Sequence, residues 1–298
     1  MPGGWPSAVF PDDGSEPPDI DISVAHQARV YDYLIGGKDH FAADRAVGEK
    51  ILEANPDAAV ASQANRAFLG RVVRFLADEA GIRQFLDVGT GIPAADNTHE
   101  VAQRVAPDAR IVYVDNDPIV LAHARALLAS VPEGRTAYLD ADARDPHTIL
   151  AQAAETLDFS QPVAVMMLSI LHAIDDPYAV VSRLMHAVPA GSFLAISVPA
   201  SDIQPEAQAA WARRIAPDFP GHTLALRSQA EVTRFFDGLE LLAPGVVPVN
   251  QWRPVPDNTG PTRALPTWGA VGRKPLSMCS EEHMFERPVR ATCHPRQR

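Results

Sequence analysis

A short apolar run that stops at a carboxylate and two glycines limits what this chain can fold into. Residues 85–91 read Phe-Leu-Asp-Val-Gly-Thr-Gly. The apolar part is typical of a strand buried on both faces, as in a parallel sheet, and Gly89 and Gly91 let the backbone bend sharply and approach a ligand closely. The pattern predicts an α/β fold in which a central strand leads into a ligand-binding turn.

The same turn is compatible with two kinds of nucleotide cofactor. Residues 89–94, Gly-Thr-Gly-Ile-Pro-Ala, satisfy the loose dinucleotide pattern G-x-G-x-x-G/A. Asp87 opposes that interpretation, because a carboxylate two residues before the first glycine would repel a pyrophosphate at the following helix N-terminus. A cofactor with an ammonium and a sulfonium group would be attracted instead. The sequence therefore favours S-adenosylmethionine and leaves a nicotinamide dinucleotide as the weaker alternative.

Two further acidic residues follow predicted strands at the spacing of successive β/α units. Residues 110–114 are predicted to form a second strand that ends at Asp115, and residues 136–141 a third strand that leads to Asp142. Asp115 can accept hydrogen bonds from both ribose hydroxyls. Asp142 can accept one from the adenine amino group, and the backbone N–H of Ala143 can donate to a ring nitrogen. Acids at strand ends also cap helices, but three of them in order favour a nucleotide site.

With these residues the chain resembles the class I S-adenosylmethionine-dependent methyltransferases, and more closely an actinobacterial family known only as S-adenosyl methyltransferase. The resemblance covers about residues 28–273 and is most specific at 29–41, 85–93, 97–103 and 112–118. It implies that the glycine turn holds the methionine part of the cofactor, the acid after the second strand the ribose, and the acid after the third strand the adenine. The predicted cofactor-binding residues are Asp87, Gly89, Thr90, Gly91, Asp115, Asn116, Asp142, Ala143 and Ser169.

Methyl transfer requires the acceptor to be held in line with the sulfonium methyl, sometimes with a base that takes the acceptor's proton. Residues 167–177, around the end of the predicted fourth strand, resemble the Leu-His segment of many small-molecule methyltransferases. His172 is the predicted catalytic residue, because an imidazole at the carboxyl edge of the sheet can deprotonate a hydroxyl or amine near neutral pH. The alternative is that His172 only packs beside the cofactor or caps a loop. No metal site is predicted, since no ligand spacing is found at His99, His123, His147 and His186.

Aromatic and basic residues cluster around a glycine pair at 36–37. Such a pair is unfavourable inside a helix and can act as a hinge. A lid that excludes water from the site is therefore predicted here. Tyr31 is expected to pack in the core instead, because aromatic residues at helical spacing usually do. The predicted substrate-contacting lid residues are Tyr33, Gly37, Lys38 and Phe41.

The pattern divides the chain into four parts. Residues 1–22 are predicted to be a disordered leader, and residues 23–82 a helical cap or lid. Residues 83–274 are predicted to form the S-adenosylmethionine-binding α/β domain, and residues 275–298 a disordered tail. The expected fold is Rossmann-like, with a mostly parallel seven-stranded sheet and helices on both faces.

Local signals place further elements in this scheme. Asn97 and Glu100 form a capping-box pattern, and helices are predicted to start at Asp145 and Asp176, each followed by proline. Other predicted helices are 24–34, 44–52, 62–80, 205–216 and 228–236, and other predicted strands are 162–168 and 192–198. Residues 239–249 and 265–271 can form strands, and the family resemblance implies that they pair antiparallel and close the sheet.

Composition limits the functional classes. The chain has 298 residues, 46% of them hydrophobic, which suffices for one large domain with an adjunct. A formal net charge of −11 disfavours binding to nucleic acid. Neither an apolar run that could span a membrane nor a signal peptide is present, so a cytoplasmic protein without membrane association is expected. The only two cysteines, Cys279 and Cys293, exclude a disulfide framework or a cysteine zinc site.

Three functions are consistent with these observations. The first is a methyltransferase that transfers a methyl group to oxygen or nitrogen of a small-molecule acceptor. The second is a regulatory module that binds S-adenosylmethionine without methylation, because no single catalytic residue is compelling. The third is a nicotinamide-dependent oxidoreductase, which the glycine pattern supports and Asp87 opposes. The acceptor, the attacking atom and the oligomeric state are left open.

Overall fold

Five parallel strands form the centre of the fold in the computed structural model, which describes residues 21–127, 131–219, 224–255 and 263–276. They are β1 (Gln84–Val88), β2 (Arg110–Asp115), β3 (Arg135–Asp140), β4 (Ala164–Leu168) and β5 (Phe193–Pro199). Their order across the sheet is β3-β2-β1-β4-β5. The strand order reverses between β1 and β4, and open α/β sheets bind ligands outside the carboxyl ends of the strands at such a point.

Antiparallel strands complete one edge of the sheet. Among the described residues, β6 (Glu240–Leu241), β7 (Val247–Pro248) and β8 (Thr267–Arg273) bring the total to eight, with β8 pairing β5 on one side and β6 and β7 on the other. The mostly parallel sheet is confirmed. The single strand predicted at 239–249 is split, because a turn in which the Gly245 N–H donates to the Leu242 oxygen at 2.8 Å interrupts it.

Helices cover both faces of the sheet, as predicted. Asp145 and Asp176 cap their helices by accepting from the backbone N–H groups of Thr148 and Ala179, and proline occupies the first turn of each. Glu100 accepts from the backbone N–H of Asn97 at 2.8 Å, which confirms the capping box there. The helices between parallel strands are α4 (Thr98–Val105), α5 (Pro118–Leu127), α6 (Pro146–Ala153) and α7 (Pro177–Ala187).

Three helices precede the sheet and pack at its carboxyl edge and on one face. They are α1 (Gln27–Ile35), α2 (Ala42–Ala54) and α3 (Ala58–Asp78), and α3 begins one turn earlier than predicted. The apolar stripe of α3 packs on the sheet with Phe68 and Val72 fully buried. Beyond β5, α8 (Pro205–Ile215) packs against α2, and α9 (Gln229–Thr233) opens a short helical stretch that continues as a 3-10 turn.

A buried ion network fixes these N-terminal helices to the end of β2. Asp44 is completely buried and accepts from the backbone N–H groups of His26 at 2.9 Å and Phe41 at 2.7 Å. Arg29 lies 3.7 Å from both Asp44 and Asp117, and the His26 Nδ1 lies 2.7 Å from Asp117. Burial raises the pKa of Asp117, but the hydrogen bond and charge of His26 outweigh that effect, so its pKa lies below the ordinary value.

Some sequence predictions fall beyond the described part of the chain. The leader at 1–22 and the tail at 275–298 are almost wholly outside it, as are Cys279 and Cys293. Within the described ranges, no helix has the length and apolar character needed to cross a membrane.

The network predicts a large effect of a nearly isosteric change at Asp44. Asp44→Asn removes a buried negative charge opposite Arg29. It also replaces one carboxylate oxygen, which accepts from a backbone N–H, with an amide NH₂ that cannot accept. We expect the free energy of unfolding to fall by about 3 kcal/mol in urea titrations. The matched control is Glu53→Gln, which breaks an exposed pair with Arg214 and is expected to change stability by less than about 1 kcal/mol. Equal losses in the two variants would contradict a structural role for the buried network.

Candidate active site

A cavity of about 340 Å³ lies at the carboxyl ends of β1, β2 and β4, beneath α1 and α3. Four separate chain segments contribute to its wall on the sheet side, and the N-terminal helices form the opposite wall. The cavity brings together all ten residues predicted for the cofactor and for catalysis, namely Asp87, Gly89, Thr90, Gly91, Asp115, Asn116, Asp142, Ala143, Ser169 and His172.

The glycine turn has the backbone shape that its sequence requires. Gly89 and Gly91 both have positive φ angles, 74° and 68°, in the left-handed region that residues with a Cβ avoid. A Cβ at position 89 would also lie 2.5 Å from the side chain of Ile170, whereas the space at position 91 is open. The Gly91 N–H donates to the Asp115 carboxylate at 2.8 Å, which ties the turn to the end of β2.

Asp87 is a buried carboxyl group at the floor of this cavity. Only 3% of the residue is exposed, and its Oδ2 accepts from the Thr98 hydroxyl at 2.6 Å. Burial raises the pKa of Asp87 to about 6, although the Thr98 hydrogen bond and the charge of Arg66 act in the opposite direction. A bound cation would favour the charged form. The geometry therefore provides a carboxylate that gains most from a positively charged ligand group.

The two other predicted acids differ in their surroundings. Asp115 is buried, which raises its pKa, and it accepts from the backbone N–H groups of Gly91 and Asp117. These bonds orient its carboxylate at the cavity wall. Asp142 lies at the more exposed rim, where Arg144 holds its carboxylate through Nε at 2.9 and 3.0 Å. A ligand amino group at Asp142 would share that carboxylate with Arg144.

His172 lies in a short helical turn after β4, at the inner wall of the cavity. Burial, assisted by the charge of Arg227, lowers the pKa of His172 to about 4. The imidazole is therefore neutral at physiological pH, and its Nδ1 is buried without a partner among the described residues. The Arg227 guanidinium donates to the Leu171 oxygen at 3.1 Å, and the Ala225 N–H donates to the His172 oxygen at 2.9 Å. These bonds fix the turn that carries the histidine.

The four predicted lid residues do not line this cavity. Gly36 ends α1 in the left-handed conformation at φ 87°, so the glycine pair forms a helix C-terminus. Tyr33 packs against Gly48 and His40. Phe41 packs in an apolar cluster, Lys38 is exposed, and Gly37 lies against the Asp32 carboxylate. Contact of Tyr33, Gly37, Lys38 and Phe41 with an acceptor gains no support from this geometry.

Residues of the N-terminal helices that the sequence pattern did not mark as site residues line the cavity instead. Asn65, 4% exposed, donates through Nδ2 to the Tyr31 hydroxyl at 3.0 Å and to the Ser169 hydroxyl at 3.1 Å. Arg66 places a cation in the same wall, and His26 enters from the start of α1. A polar Asn65 within the apolar row that continues at Phe68 and Leu69 is the sequence signal that marks this position.

Comparisons with known proteins agree with this arrangement. The family described as S-adenosyl methyltransferase matches residues 13–275. A crystal structure of a DUF574 family protein from Streptomyces avermitilis MA-4680 is 46% identical and covers 86% of this chain and 99% of that chain, with a TM-score of 0.82. A candidate methyltransferase from Thermobifida fusca YX is 43% identical and covers 87% and 98%, with a TM-score of 0.80. No match was found among curated proteins.

The fold and the comparisons together define a class I S-adenosylmethionine-dependent methyltransferase. The chain belongs to the S-adenosyl methyltransferase family. S-adenosylmethionine is accordingly its cofactor, as the position of Asp87 had predicted. The assignment decides against the nicotinamide-dependent and non-catalytic alternatives.

The two glycines of the turn are expected to differ in their tolerance of alanine. Gly89→Ala meets both the strained backbone and the Ile170 side chain, whereas Gly91→Ala meets only the backbone strain of about 1–2 kcal/mol. We expect the first variant to be the less stable and to bind S-adenosylmethionine more weakly, as measured by urea unfolding and calorimetry. Ile170→Ala in the Gly89→Ala background should restore part of the loss. Equal effects of the two alanines would contradict the crowding at position 89.

Proposed function

We propose that this enzyme methylates a hydroxyl or amino group of a small molecule. The observation that supports this function best is the convergence, in one cavity, of three strand-end acids with His172 and Asn65. The acids provide contacts for the cofactor, and the other two residues lie where the acceptor would meet it. The cavity is enclosed by α1 and α3, which suits a small acceptor better than a polymer.

The residues present fit the cofactor. Asp87 and Arg66 line the same cavity with opposite charges, which matches the ammonium and carboxylate of an amino acid. Asp115 can accept from the ribose hydroxyls, and Asp142 with the Ala143 N–H can hold the adenine edge. The space beside Gly91 is open, which leaves room for the cofactor next to the turn. The Asp87–ammonium and Arg66–carboxylate contacts are thus the core of the proposed binding mode.

The protein's part in the reaction is to bind, orient and exclude water. When bound, S-adenosylmethionine would supply an electrophilic methyl carbon, and S-adenosylhomocysteine would be the product of its transfer. Asn65 and His172 orient the acceptor, since each has a hydrogen-bonding atom without a partner in the described structure. A neutral His172 can accept the acceptor's proton. Its low pKa makes it a weak base, so His172 acts mainly by hydrogen bonding while the proton passes on to solvent.

The raised pKa of Asp87 predicts a proton release that accompanies cofactor binding. At pH 6 about half of the free protein carries a proton on Asp87, and an ammonium beside it lowers that pKa, so binding releases up to about half a proton. At pH 7.5 Asp87 is already charged in the free protein, so it contributes almost no proton release on binding. Calorimetric titration with S-adenosylmethionine in buffers of different ionisation enthalpy measures the difference.

Asp87→Asn is the control for this experiment, because it keeps the size of the side chain and cannot titrate. The variant should bind S-adenosylmethionine more weakly at pH 7.5 and lose the additional proton release at pH 6. Unchanged affinity and unchanged release would contradict the contact between Asp87 and the ammonium.

The methylation itself is tested by turnover. The protein is incubated with S-adenosylmethionine and a panel of phenols, alcohols and amines, and S-adenosylhomocysteine is quantified by mass spectrometry together with the methylated product. We expect acceptor-dependent product whose formation falls by at least about tenfold in Asn65→Ala, through loss of acceptor orientation. Cofactor binding without product from small molecules, but with product from a protein or RNA, would overturn the proposal.

A further inference from the structure

A second cavity, of about 120 Å³, lies directly beside the cofactor cavity. It extends between α1, α2, α3 and α8, away from the acids that are predicted to hold the cofactor. The two cavities share a common wall at the end of β4 and the inner sides of α1 and α3. This shared wall, called the junction below, consists of Gln27, Tyr31, Asn65, Ser169, His172 and Phe219.

The second cavity is called the side chamber below. Its far end, away from the junction, is apolar and carries no charged residue among those described. Leu34, Ile215 and Trp211 contribute to it, and none of its described lining residues is Asp, Glu, Lys or Arg. Its buried Gln208 already has its hydrogen bonds: Oε1 accepts from Asn55 at 2.8 Å and from Trp211 at 2.7 Å, and Nε2 donates to two backbone oxygens. The polar groups here hold the walls together and leave apolar surface for a ligand.

The junction has the opposite character. Asn65 Oδ1, His172 Nδ1 and Gln27 Nε2 are buried atoms without a hydrogen-bond partner in the described structure. Leaving such atoms unpaired is unfavourable, and a ligand group that bonds to them removes the cost. Because His172 is neutral with a pKa of about 4, the junction offers hydrogen bonds but no ionic charge.

We propose that the side chamber is the acceptor site, and that the acceptor is an uncharged molecule about the size of one aromatic ring with one hydroxyl or amino group. This proposal rests on the proposed methyltransferase function. At about 120 Å³ the side chamber is slightly smaller than the apolar cavity of about 150 Å³ that accommodates benzene, so one aromatic ring is the largest group that we place in it. The ring lies among the apolar far walls, and its hydroxyl or amino group lies at the junction, next to the cofactor.

The transfer step balances with these groups alone. The acceptor's lone pair forms the bond to the methyl carbon, the electron pair of the broken carbon–sulfur bond stays on sulfur, and the acceptor's proton passes to water while His172 hydrogen-bonds to the acceptor. A carboxylate, phosphate or ammonium on the ring would enter a chamber that has no counter-charge among its described residues, which makes binding unfavourable. Charge on the acceptor is therefore the property that the side chamber selects against.

The test uses phenol as the probe on the full chain saturated with S-adenosylhomocysteine. Ligand-observed NMR measures the binding of phenol, aniline, 4-hydroxybenzoate and tyramine. We expect phenol and aniline to bind, and the two charged analogues to bind at least about tenfold more weakly. Charged analogues that bind as tightly as phenol, or no binding of phenol, would overturn the proposal.

Two alanines of α3 provide a matched pair of variants. Ala61 lines the side chamber, whereas Ala64 lies in the same helix and packs toward the sheet without lining either cavity. Ala61→Leu should weaken phenol binding by about tenfold through overfilling, while Ala64→Leu should leave it within about twofold. Both should bind S-adenosylhomocysteine like the wild type. Equal phenol affinity in the two variants would place the ligand elsewhere.

Trp211→Ala provides an independent readout if Ala61→Leu does not fold. Enlarging the chamber should raise the affinity for 2-naphthol relative to phenol, and an unchanged ratio of the two affinities would overturn the proposal.

Turnover distinguishes a failure of the side-chamber proposal from a failure of the proposed methyltransferase function. Product formed only from charged acceptors would refute the side chamber as acceptor site while the methyltransferase function stands. Phenol binding that responds to Ala61→Leu, with no product from any small molecule, would refute the proposed function while the side chamber stands as a ligand site.

Discussion

The burial of carboxylates at the carboxyl edge of the sheet is the constraint on which the rest of this structure depends. Parallel strands bring Asp87, Asp115 and Asp117 to one edge, and each charge loses hydration there. Asp117 is compensated within the protein by His26 and Arg29. Asp87 is compensated only in part, by a hydroxyl and a nearby cation. Asp115 also has a raised pKa, but it accepts from two backbone N–H groups. Asp87 is therefore the acid for which we propose a cationic ligand group.

The N-terminal helices convert this edge into an enclosed site. The Arg29–Asp44–Asp117 network holds α1 and α2 over the end of β2, and α3 packs on the sheet through its apolar stripe. In this position Tyr31, Asn65 and Arg66 line the cavity together with the residues of the sheet. A sheet alone would leave the strand-end acids in water, where their preference for a cation is much weaker. Helices that precede the cofactor motif in sequence thus complete the cavity in which we propose that the cofactor binds.

The difference between local signals at the strand ends and contacts made by the N-terminal helices explains how much of the site could be predicted from the sequence. The strand-end acids and glycines are local signals, because the backbone geometry of a β/α turn dictates them, and they were predicted individually. The lid prediction relied on proximity to a glycine pair, but Tyr31 and Tyr33 are two residues apart on α1 and so lie on nearly opposite sides of the helix. The sequence cannot choose between these sides without knowing where the sheet lies. The position of Asn65 in the site could have been predicted, since a polar residue interrupts an apolar row there. The pairing of His26 with Asp117 could not, because it joins segments that are distant in sequence.

The cofactor cavity is acidic and the side chamber is uncharged, and this difference suits the change in charge that accompanies methyl transfer. A sulfonium begins with a full positive charge, and reaction with a neutral acceptor spreads that charge before the proton is lost. In a low-dielectric environment a dispersed charge is less unfavourable than a concentrated one. An uncharged chamber beside an acidic cofactor cavity therefore suits the step, because in the proposed binding mode the acid holds the amino-acid end of the cofactor while the reacting centre faces neutral groups. A charged side chain at the junction would oppose either the cofactor or this redistribution, which gives a physical reason for the neutral character of Asn65, Ser169 and His172.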